Sequence, residues 1–410
     1  MDEAQVRREI RGWVGANWDP ALPLVEWRRR LVRSGWAVPS WPSRWFGRDL
    51  PAWADGVAAG EVLACGAVGL PVGVGAWLAA PTVLTHGPDA VRERFLWPVL
   101  TGEETWCQLF SEPGAGSDLA GLSTRAELDG DEWVVNGQKV WNTSAHHADL
   151  GMLVARTDWD VPKHDGLTYF ALPMRQPGVE VRPLRQMNNH ASFNEVFLTD
   201  ARLPRDHVVG AVGDGWRAAL TTLAFERRFG ATARPQYGGT GRALEEARAE
   251  AEEHFAVYRW YPQRAGRPDL LVEHARVAGA AADPVVRQQT ARALAAQRAG
   301  GWTAERARAA RALGGAPGSE GSIGKLATSV VARQAAAAHA AIAGAAAMLA
   351  GADGPLGGVV SEILVSVPAQ SIAGGTDEIQ RNIIGEKALG LPREPSADRG
   401  RPFREVPRNS

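Results

Sequence analysis

The chain has 410 residues, 45 Lys+Arg against 46 Asp+Glu, and a formal net charge of −1. Near-neutrality argues against nucleic acid or an anionic membrane as the main partner, since either would call for a basic excess. The length is too great for one small core and implies two or three domains. Two cysteines, Cys65 and Cys107, cannot form a disulfide framework, and their spacing fits no zinc site.

Met1 to Ile10 is charged and lacks the apolar core of a secretory signal. The longest apolar stretches, such as Val68 to Ala80, are Gly-rich and too short to span a bilayer. The expectation is a soluble, cytoplasmic chain. From Met1 to about Leu100 the pattern is helical, broken by turns such as Pro39-Ser40-Trp41-Pro42. Ten of the sixteen Trp fall at or before Trp106. Most are expected to pack, with Trp36, Trp41 and Trp45 wedging turns.

Between Trp106 and about Val212 the period drops towards two. Glu132 to Trp141 reads as a hairpin whose β-prone arms flank Asn136-Gly137, a pair suited to a type I′ turn. Further strands are expected at Gly151–Arg156, Leu167–Leu172, Val179–Pro183 and Ser192–Phe197, giving an antiparallel barrel or sandwich. From Gly213 onward, Ala/Arg/Leu-rich segments predict helices over Trp216–Arg234, Gly239–Ala256, Asp283–Ala310 and Ser322–Leu349, packed as a bundle. The stretch after Pro392 is Pro- and charge-rich and reads as a tail. The fold class is α+β multidomain: a helical domain over 1–103, a β domain over 104–212, a helical bundle over 213–393, and a tail over 394–410.

No G-x-G-x-x-G follows a strand, since Gly114-Ala115-Gly116-Ser117-Asp118-Leu119 lacks the third Gly. A P-loop, a Ser nucleophile elbow and HExxH also fail to appear. Cys107 to Asp118 is different: a strand-like run meets a turn with Pro, two Gly and two Ser. Exposed N–H groups in such a turn can bind anionic oxygens or a polar ring edge. On residues alone it is equally an ordinary tight turn. Trp141 and Thr143 are i and i+2, so they share a strand face and offer an aromatic plane beside a hydroxyl.

These blocks resemble the acyl-CoA dehydrogenase family. The matching pieces are Trp106–Leu122 (WCQLFSEPGAGSDLAGL), Asn136–Thr143 (NGQKVWNT), Phe193–Phe197 (FNEVF) and Ile372–Gly390 (IAGGTDEIQRNIIGEKALG). Their order and spacing cover roughly residues 1–395. The resemblance implies a helical N-terminal domain, a β middle domain, a C-terminal four-helix bundle and bound FAD. It also implies that Gln108, Phe110 and Ser111 contact the flavin ring and that Trp141 and Thr143 flank it, with Thr143 donating to N5. Gly116 and Ser117 would lie at the cofactor, Ser117 near both the pyrophosphate and the acyl thioester. Gly375, Thr376 and Glu378 would contact the cofactor from the last block.

Removing the α-proton of a thioester needs a poised carboxylate. Many family members carry a Glu just before the Gly-Thr of the last block, and here that position is Gly374. The helix beginning near Gly215 offers a replacement. Trp216, Ala219, Leu220 and Leu223 form an apolar face at helical spacing, with Arg227 within it and Glu226 at its margin. An ion pair satisfied by neighbouring domains would look the same. The chain nevertheless resembles the branch, including isovaleryl-CoA dehydrogenase, that carries its base as Glu-Arg on this helix. That makes Glu226 the expected base and Arg227 and Gly374 expected substrate contacts.

A second departure concerns the bundle. The Arg-x-x-Phe block through which many members bind a neighbour's FAD is missing, with His254 near the Arg position. Arg287 is a substitute phosphate contact, although Asp283-Pro284 ahead of it is equally plain helix capping. The expected function is FAD-dependent α,β-dehydrogenation of an acyl-CoA or acyl-carrier-protein thioester, in a homodimer or homotetramer, passing electrons to an electron-transfer flavoprotein. Alternatives are a flavin-dependent oxidase or monooxygenase on the same fold, or a non-catalytic subunit of a heteromeric dehydrogenase.

Overall fold

The computed structural model describes residues 1–226, 234–312, 319–396 and 398–407, with the side chains of 311 and 312 left aside. Its residues group into two compact units. Unit 1 comprises Met1–Leu184, Ala191–Val257 and the stretch from Asp398, and unit 2 comprises Arg185–His190 with the stretch from Tyr258.

Unit 1 opens with α1 (Glu3–Asn17), α2 (Leu24–Arg33), α3 (Trp53–Ala64), α4 (Ala80–His86) and α5 (Asp89–Thr101). Asp2 caps α1 by accepting from the Gln5 N–H, and Val6, Ile10 and Val14 recur every turn on its buried face. Trp27 of α2 is fully buried and donates its indole N–H to the Val68 carbonyl at 2.6 Å. Trp36 and Trp45 are likewise buried, whereas Trp53 and Trp77 are exposed.

The β region is one seven-stranded sheet in the order β1-β4-β2-β3-β7-β6, with β5 on β4. Its strands are β1 (Trp106–Leu109), β2 (Arg125–Asp129), β3 (Glu132–Thr143), β4 (Leu150–Arg156), β5 (Leu167–Pro173), β6 (Val179–Leu184) and β7 (Phe193–Pro204). Most neighbours are antiparallel, but β1 runs parallel to β4, and β2 meets β4 only at Arg125–Arg156. β4 is buried along its whole length because both faces are covered. Met152, Val154 and Tyr169 face the core shared with α4, α5 and α6, while Leu153, Ala155 and Phe170 belong to a second core.

The expected hairpin turn at Asn136-Gly137 is not a turn. The β2–β3 reversal lies between Asp129 and Glu132, and β3 runs straight through Asn136-Gly137, opposite a bulge whose extra residue lies on β7 at Thr199-Asp200. Asn136 bonds to Asp200 on β7, and Gly137 closely approaches Thr124. The amide of Asn136 serves the bulge across from it and the missing side chain of Gly137 serves that close approach, so a turn-like pair stands inside a strand.

Two of the helices expected in the bundle, α6 (Gly215–Glu226) and α7 (Arg242–Ala256), belong to unit 1. Leu244 and Ala247 of α7 join the core of α1 and α2, and Arg28 of α2 pairs with Glu250 at 2.6 Å. Part of the expected tail is also ordered in unit 1: Phe403 is 1% exposed, and its N–H donates to the Val161 carbonyl at 2.9 Å.

Unit 2 contains α8 (Tyr261–Arg264), α9 (Leu271–Val277), α10 (Pro284–Ala312), α11 (Glu320–Ala343), α12 (Val359–Ser366), α13 (Pro368–Ile372) and α14 (Asp377–Lys387). Small residues of α11, including Ser329, Ala332, Ala335 and Ala338, are buried and let neighbouring helices approach closely. α11 stops at Ala343 rather than Leu349, where Gly344 takes a positive φ with an extended ψ, a backbone that glycine alone adopts freely. Among the described residues one helical stretch, Pro355–Lys387, is long and apolar enough to cross a bilayer; Pro368 and the Gly374-Gly375 turn divide it.

Candidate active site

The first group of expected site residues gathers where β1 ends against the end of β3. β1 leads into a tight reversal in which Glu112 and Ala115 exchange backbone bonds at 3.0 and 3.1 Å, leaving Pro113, Gly114, Gly116 and Ser117 exposed. Two bonds tie this run to β3. The Val140 N–H donates to the Ser111 carbonyl at 2.9 Å, and the Asn142 amide donates to the Gln108 carbonyl at 2.7 Å. Gln108, Phe110 and Ser111 are thereby held beside Trp141 and Thr143.

Beneath them lies a residue that the sequence reasoning missed. Lys139 is completely buried and donates to the Phe110 carbonyl (3.0 Å), the Val154 carbonyl (2.8 Å) and the Glu112 carboxylate (2.9 Å). Burial pulls its pKa down, opposed by Glu112. The Glu112 carboxylate also accepts the N–H groups of Ser123 (2.6 Å) and Thr124 (2.8 Å). Burial raises its pKa, but Lys139 and these bonds outweigh it and the net shift is downward. A lysine inside a strand reads as solvent-facing, yet Lys139 keeps the odd-numbered alternation of the buried Trp133 and Val135.

Trp141 is the extra residue of a bulge on β3, unpaired between Val140–Glu195 and Asn142–Asn194. It is 55% exposed and has a φ of 68°, a strained backbone for a bulky side chain. Phe193 supports its ring edge-on at 5.9 Å. Asn142 is buried between the more open Trp141 and Thr143, and its Oδ1 has no partner among the described residues. An exposed indole held in a strained backbone, with Ser111, Thr143 and Gln108 around it, fits a planar heteroaromatic ring with a polar rim.

Glu226 closes α6, half-buried. The buried stripe of α6 runs through Gly215, Ala218, Ala219 and Thr222, not through Leu220, which is exposed. Positions 215, 219, 222 and 226 follow helical spacing, so Glu226 continues that stripe rather than lying at its margin. Arg227 lies outside the described residues. Thr222 touches Tyr169, and the Tyr169 ring meets Phe110 edge-on at 5.9 Å.

The second group belongs to unit 2. Gly374 and Gly375 are consecutive left-handed residues with φ of 67° and 83°, their carbonyls held by the Gln380 amide at 3.2 and 3.3 Å. Thr376 caps α14 by accepting from the Ile379 N–H. Asp377 is buried on Lys325 (3.0 Å) and Arg333 of α11. Burial raises its pKa, but its bonds to Arg333, Ser329 and Lys325 win and hold the carboxyl far below its usual range. Glu378 is exposed beside Arg381, and Arg287 is exposed in the first turn of α10. Asp283 caps that turn, accepting from Val285 and Val286 at 2.8 and 3.0 Å. No hydrogen bond ties Arg287 to the Gly374–Glu378 turn among the described residues.

Family models of the acyl-CoA dehydrogenase N-terminal, middle and C-terminal domains match residues 3–103, 107–201 and 268–389. The chain is 35% identical to acyl-CoA dehydrogenase IpdE1 of Mycobacterium tuberculosis, covering 96% of this chain and 99% of that one. The chain belongs to the acyl-CoA dehydrogenase family. It is an oxidoreductase acting on CH–CH bonds, an acyl-CoA dehydrogenase in the general sense. The family is flavin-dependent, so membership implies FAD.

Among other acyl-CoA dehydrogenases, M. tuberculosis FadE34 is 39% identical over 91% of this chain but only 47% of its own length. Of solved structures, the ChsE4-ChsE5 complex from M. tuberculosis superposes with a TM-score of 0.62 at 26% identity, covering 96% and 98% of the two chains.

Proposed function

We propose that this acyl-CoA dehydrogenase converts an acyl thioester to the trans-2-enoyl thioester, with Glu226 as the base that takes the α-proton. The observation that carries the assignment is a carboxylate continuing the buried stripe of α6 in a chain whose last block has Gly374 at the alternative base position. Glycine cannot accept a proton, whereas a carboxylate on the inward side of α6 can. Arg227 would orient the substrate. N–H groups of the left-handed Gly374-Gly375 turn suit the thioester carbonyl, whose oxygen gains negative charge as the α-proton leaves.

Gln108, Phe110, Ser111, Trp141 and Thr143 would hold the flavin ring, with Gly116, Ser117, Gly375, Thr376, Glu378 and Arg287 toward the rest of FAD. Bound FAD supplies the two-electron acceptor for the β-carbon. Lys139 keeps the Phe110–Glu112 backbone in place, and Trp141 supplies a wall against water. An electron-transfer flavoprotein would reoxidise the enzyme, and the carrier would be CoA or an acyl-carrier protein. Glu226→Gln tests the base assignment: the purified variant, reconstituted with FAD, should no longer bleach when mixed with straight, branched and ring-bearing acyl-CoAs. Bleaching at the wild-type rate would refute it.

A heteromeric assembly is supported by one specific observation. The chain matches about half of FadE34, as one partner of a two-chain dehydrogenase would. The absent Arg-x-x-Phe block agrees, since a second family member could supply the missing cofactor contacts. The chain expressed alone should then purify with little flavin, and co-expression with a family partner should restore the yellow colour. A lone chain that retains stoichiometric FAD would rule the partner out.

A further inference from the structure

Resting on Glu226 as the base, we propose that Thr222, Tyr169 and Thr82 form a buried hydroxyl chain that positions Glu226 by fixing the rotation of α6. All three are positioning residues, buried in an otherwise apolar core. Thr222 Oγ1 lies 2.9 Å from Thr82 Oγ1 and 3.2 Å from the Tyr169 hydroxyl, and Thr82 donates to the Leu78 carbonyl at 2.7 Å. Each hydroxyl carries one proton. Thr82 gives its proton to Leu78, so the 2.9 Å contact is made by the Thr222 proton, which the Ala218 carbonyl of its own helix also accepts at the longer distance of 3.2 Å; Tyr169 donates to Thr222. The chain therefore runs towards the Leu78 carbonyl, with the Thr222 proton shared between the bond to α4 and the bond within α6.

The need for such a device follows from the composition of α6. Its most buried stripe is Gly215, Ala218, Ala219 and Thr222, small side chains that bring helices close, and the large Trp216, Leu223 and Phe225 pack only partly buried at its flanks. Gly215 lets the start of α6 rest on β5, where a Cβ would come within 2.5 Å of the Thr168 backbone. Further along, hydrogen bonds from the centre of the stripe add a direction to that flanking packing. A second bond on the same helix pair, His86 Nε2 to Thr221 Oγ1 at 2.8 Å, ties the end of α4 to α6.

Glu226 lies one turn beyond Thr222, about 6 Å along the axis and on nearly the same azimuth. With side-chain tips about 5–6 Å from the axis, a rotation of roughly 10° displaces a carboxylate by about 1 Å. A misplacement of that size can cost about a hundredfold in rate. Tyr169 also meets Phe110 edge-on, so one residue touches both the base helix and the strand read as the flavin cradle. Losing its hydroxyl frees the helix while leaving the ring against Phe110.

The test compares the FAD-loaded Thr222→Val, Thr222→Ser, Tyr169→Phe and Glu226→Gln variants. Two rates are followed: flavin bleaching, and solvent-deuterium incorporation at the α-carbon of a 3-thia-acyl-CoA, which can lose its α-proton but cannot complete the oxidation. Thr222→Val and Tyr169→Phe should lower kcat and deuterium exchange about tenfold at unchanged KM and shift the pH midpoint of exchange. Thr222→Ser, which keeps the hydroxyl, should recover the wild-type rate to within about twofold. Glu226→Gln should abolish exchange; if it does not, the base assignment itself falls. If Glu226→Gln loses exchange while Thr222→Val and Tyr169→Phe keep the wild-type rate and pH midpoint, the positioning role is overturned. A serine variant as slow as the valine variant would equally overturn it, leaving only packing.

Discussion

The guanidinium of Arg156 lies 3.4 Å from the centroid of the Phe403 ring, although Phe403 belongs to a Pro- and charge-rich stretch at the far end of the chain. Arg156 is fully buried and donates to the carbonyls of Ala120 (2.6 Å), Leu122 (3.2 Å) and Lys163 (3.1 Å). Phe403 closes the remaining side of that cation and packs against Trp159. Phe403→Ala removes the ring and wets the charge, and should cost about 3 kcal/mol. Phe403→Leu keeps most of the volume and should cost about 1 kcal/mol, the cation–π share. Thermal unfolding of both variants checks this; a wild-type melting temperature for the alanine variant would contradict it.

In unit 2, His274 and His339 share a bond between their Nδ1 atoms at 3.0 Å, both buried. His339 Nε2 lies 3.1 Å from the Arg267 carbonyl and donates to it. His339 Nδ1 is then the acceptor and His274 Nδ1 the donor, so both rings are neutral. Burial lowers both pKa values; for His339 the bond to the Arg267 carbonyl and, less, Asp269 oppose, while His274 and the Arg267 charge add to the lowering, and the net shift is downward. The unfolded chain therefore binds protons that the folded chain refuses. Stability from this pair is complete above the unfolded value of about 6.5 and is lost as pH falls below it. Urea midpoints for unit 2 should drop between pH 7.5 and 5.5, and His274→Phe should flatten that slope.

Gly137 tests the unbroken course of β3. A Cβ there would sit 2.5 Å from Thr124 Oγ1 and 2.8 Å from Thr124 Cα, a backbone atom that cannot rotate away. Gly137→Ala should therefore force β3 away from Thr124 and cost about 1–3 kcal/mol, whereas a hairpin turn in solvent would tolerate alanine more easily. Chemical denaturation measures the loss, and an unchanged midpoint would contradict that close approach.

Gly137 also shows where sequence reasoning stops. Periodicity located most strands, because β4 and β5 are apolar runs and β6 alternates. Asn136-Gly137 read as a turn because Asn-Gly suits one; only pairing with distant β7 shows that the strand runs on. The single bulge on β3 shifts its phase at Trp141 and leaves that ring open, whereas Lys139 lies on the odd-numbered alternation of Trp133 and Val135, which a charged side chain disguises. Helix α6 was legible as an amphipathic stripe, but its centre was misplaced onto Leu220, because hydrophobicity outweighed small buried residues such as Ala218 and Thr222. Phe403 was hidden by its neighbours, since its partner Arg156 lies in a remote strand. The expected cofactor and base positions came from short motifs carried by resemblance, which no periodicity supplies.

Lys139 gives the prediction closest to the candidate site. Its ammonium is buried on two carbonyls and on Glu112. Lys139→Met fills the space but leaves the Glu112 carboxylate without its counter-charge, at a cost of about 3–5 kcal/mol. Adding Glu112→Gln removes that stranded charge and should recover part of the loss, so the double variant should be more stable than Lys139→Met alone. The two carbonyls stay unpaired in both variants, so the Phe110–Glu112 backbone stays loose. FAD affinity, titrated by flavin fluorescence, should therefore remain weaker than wild type even where stability returns. Wild-type affinity in the double variant would show that Lys139 serves stability alone and does not shape the cradle.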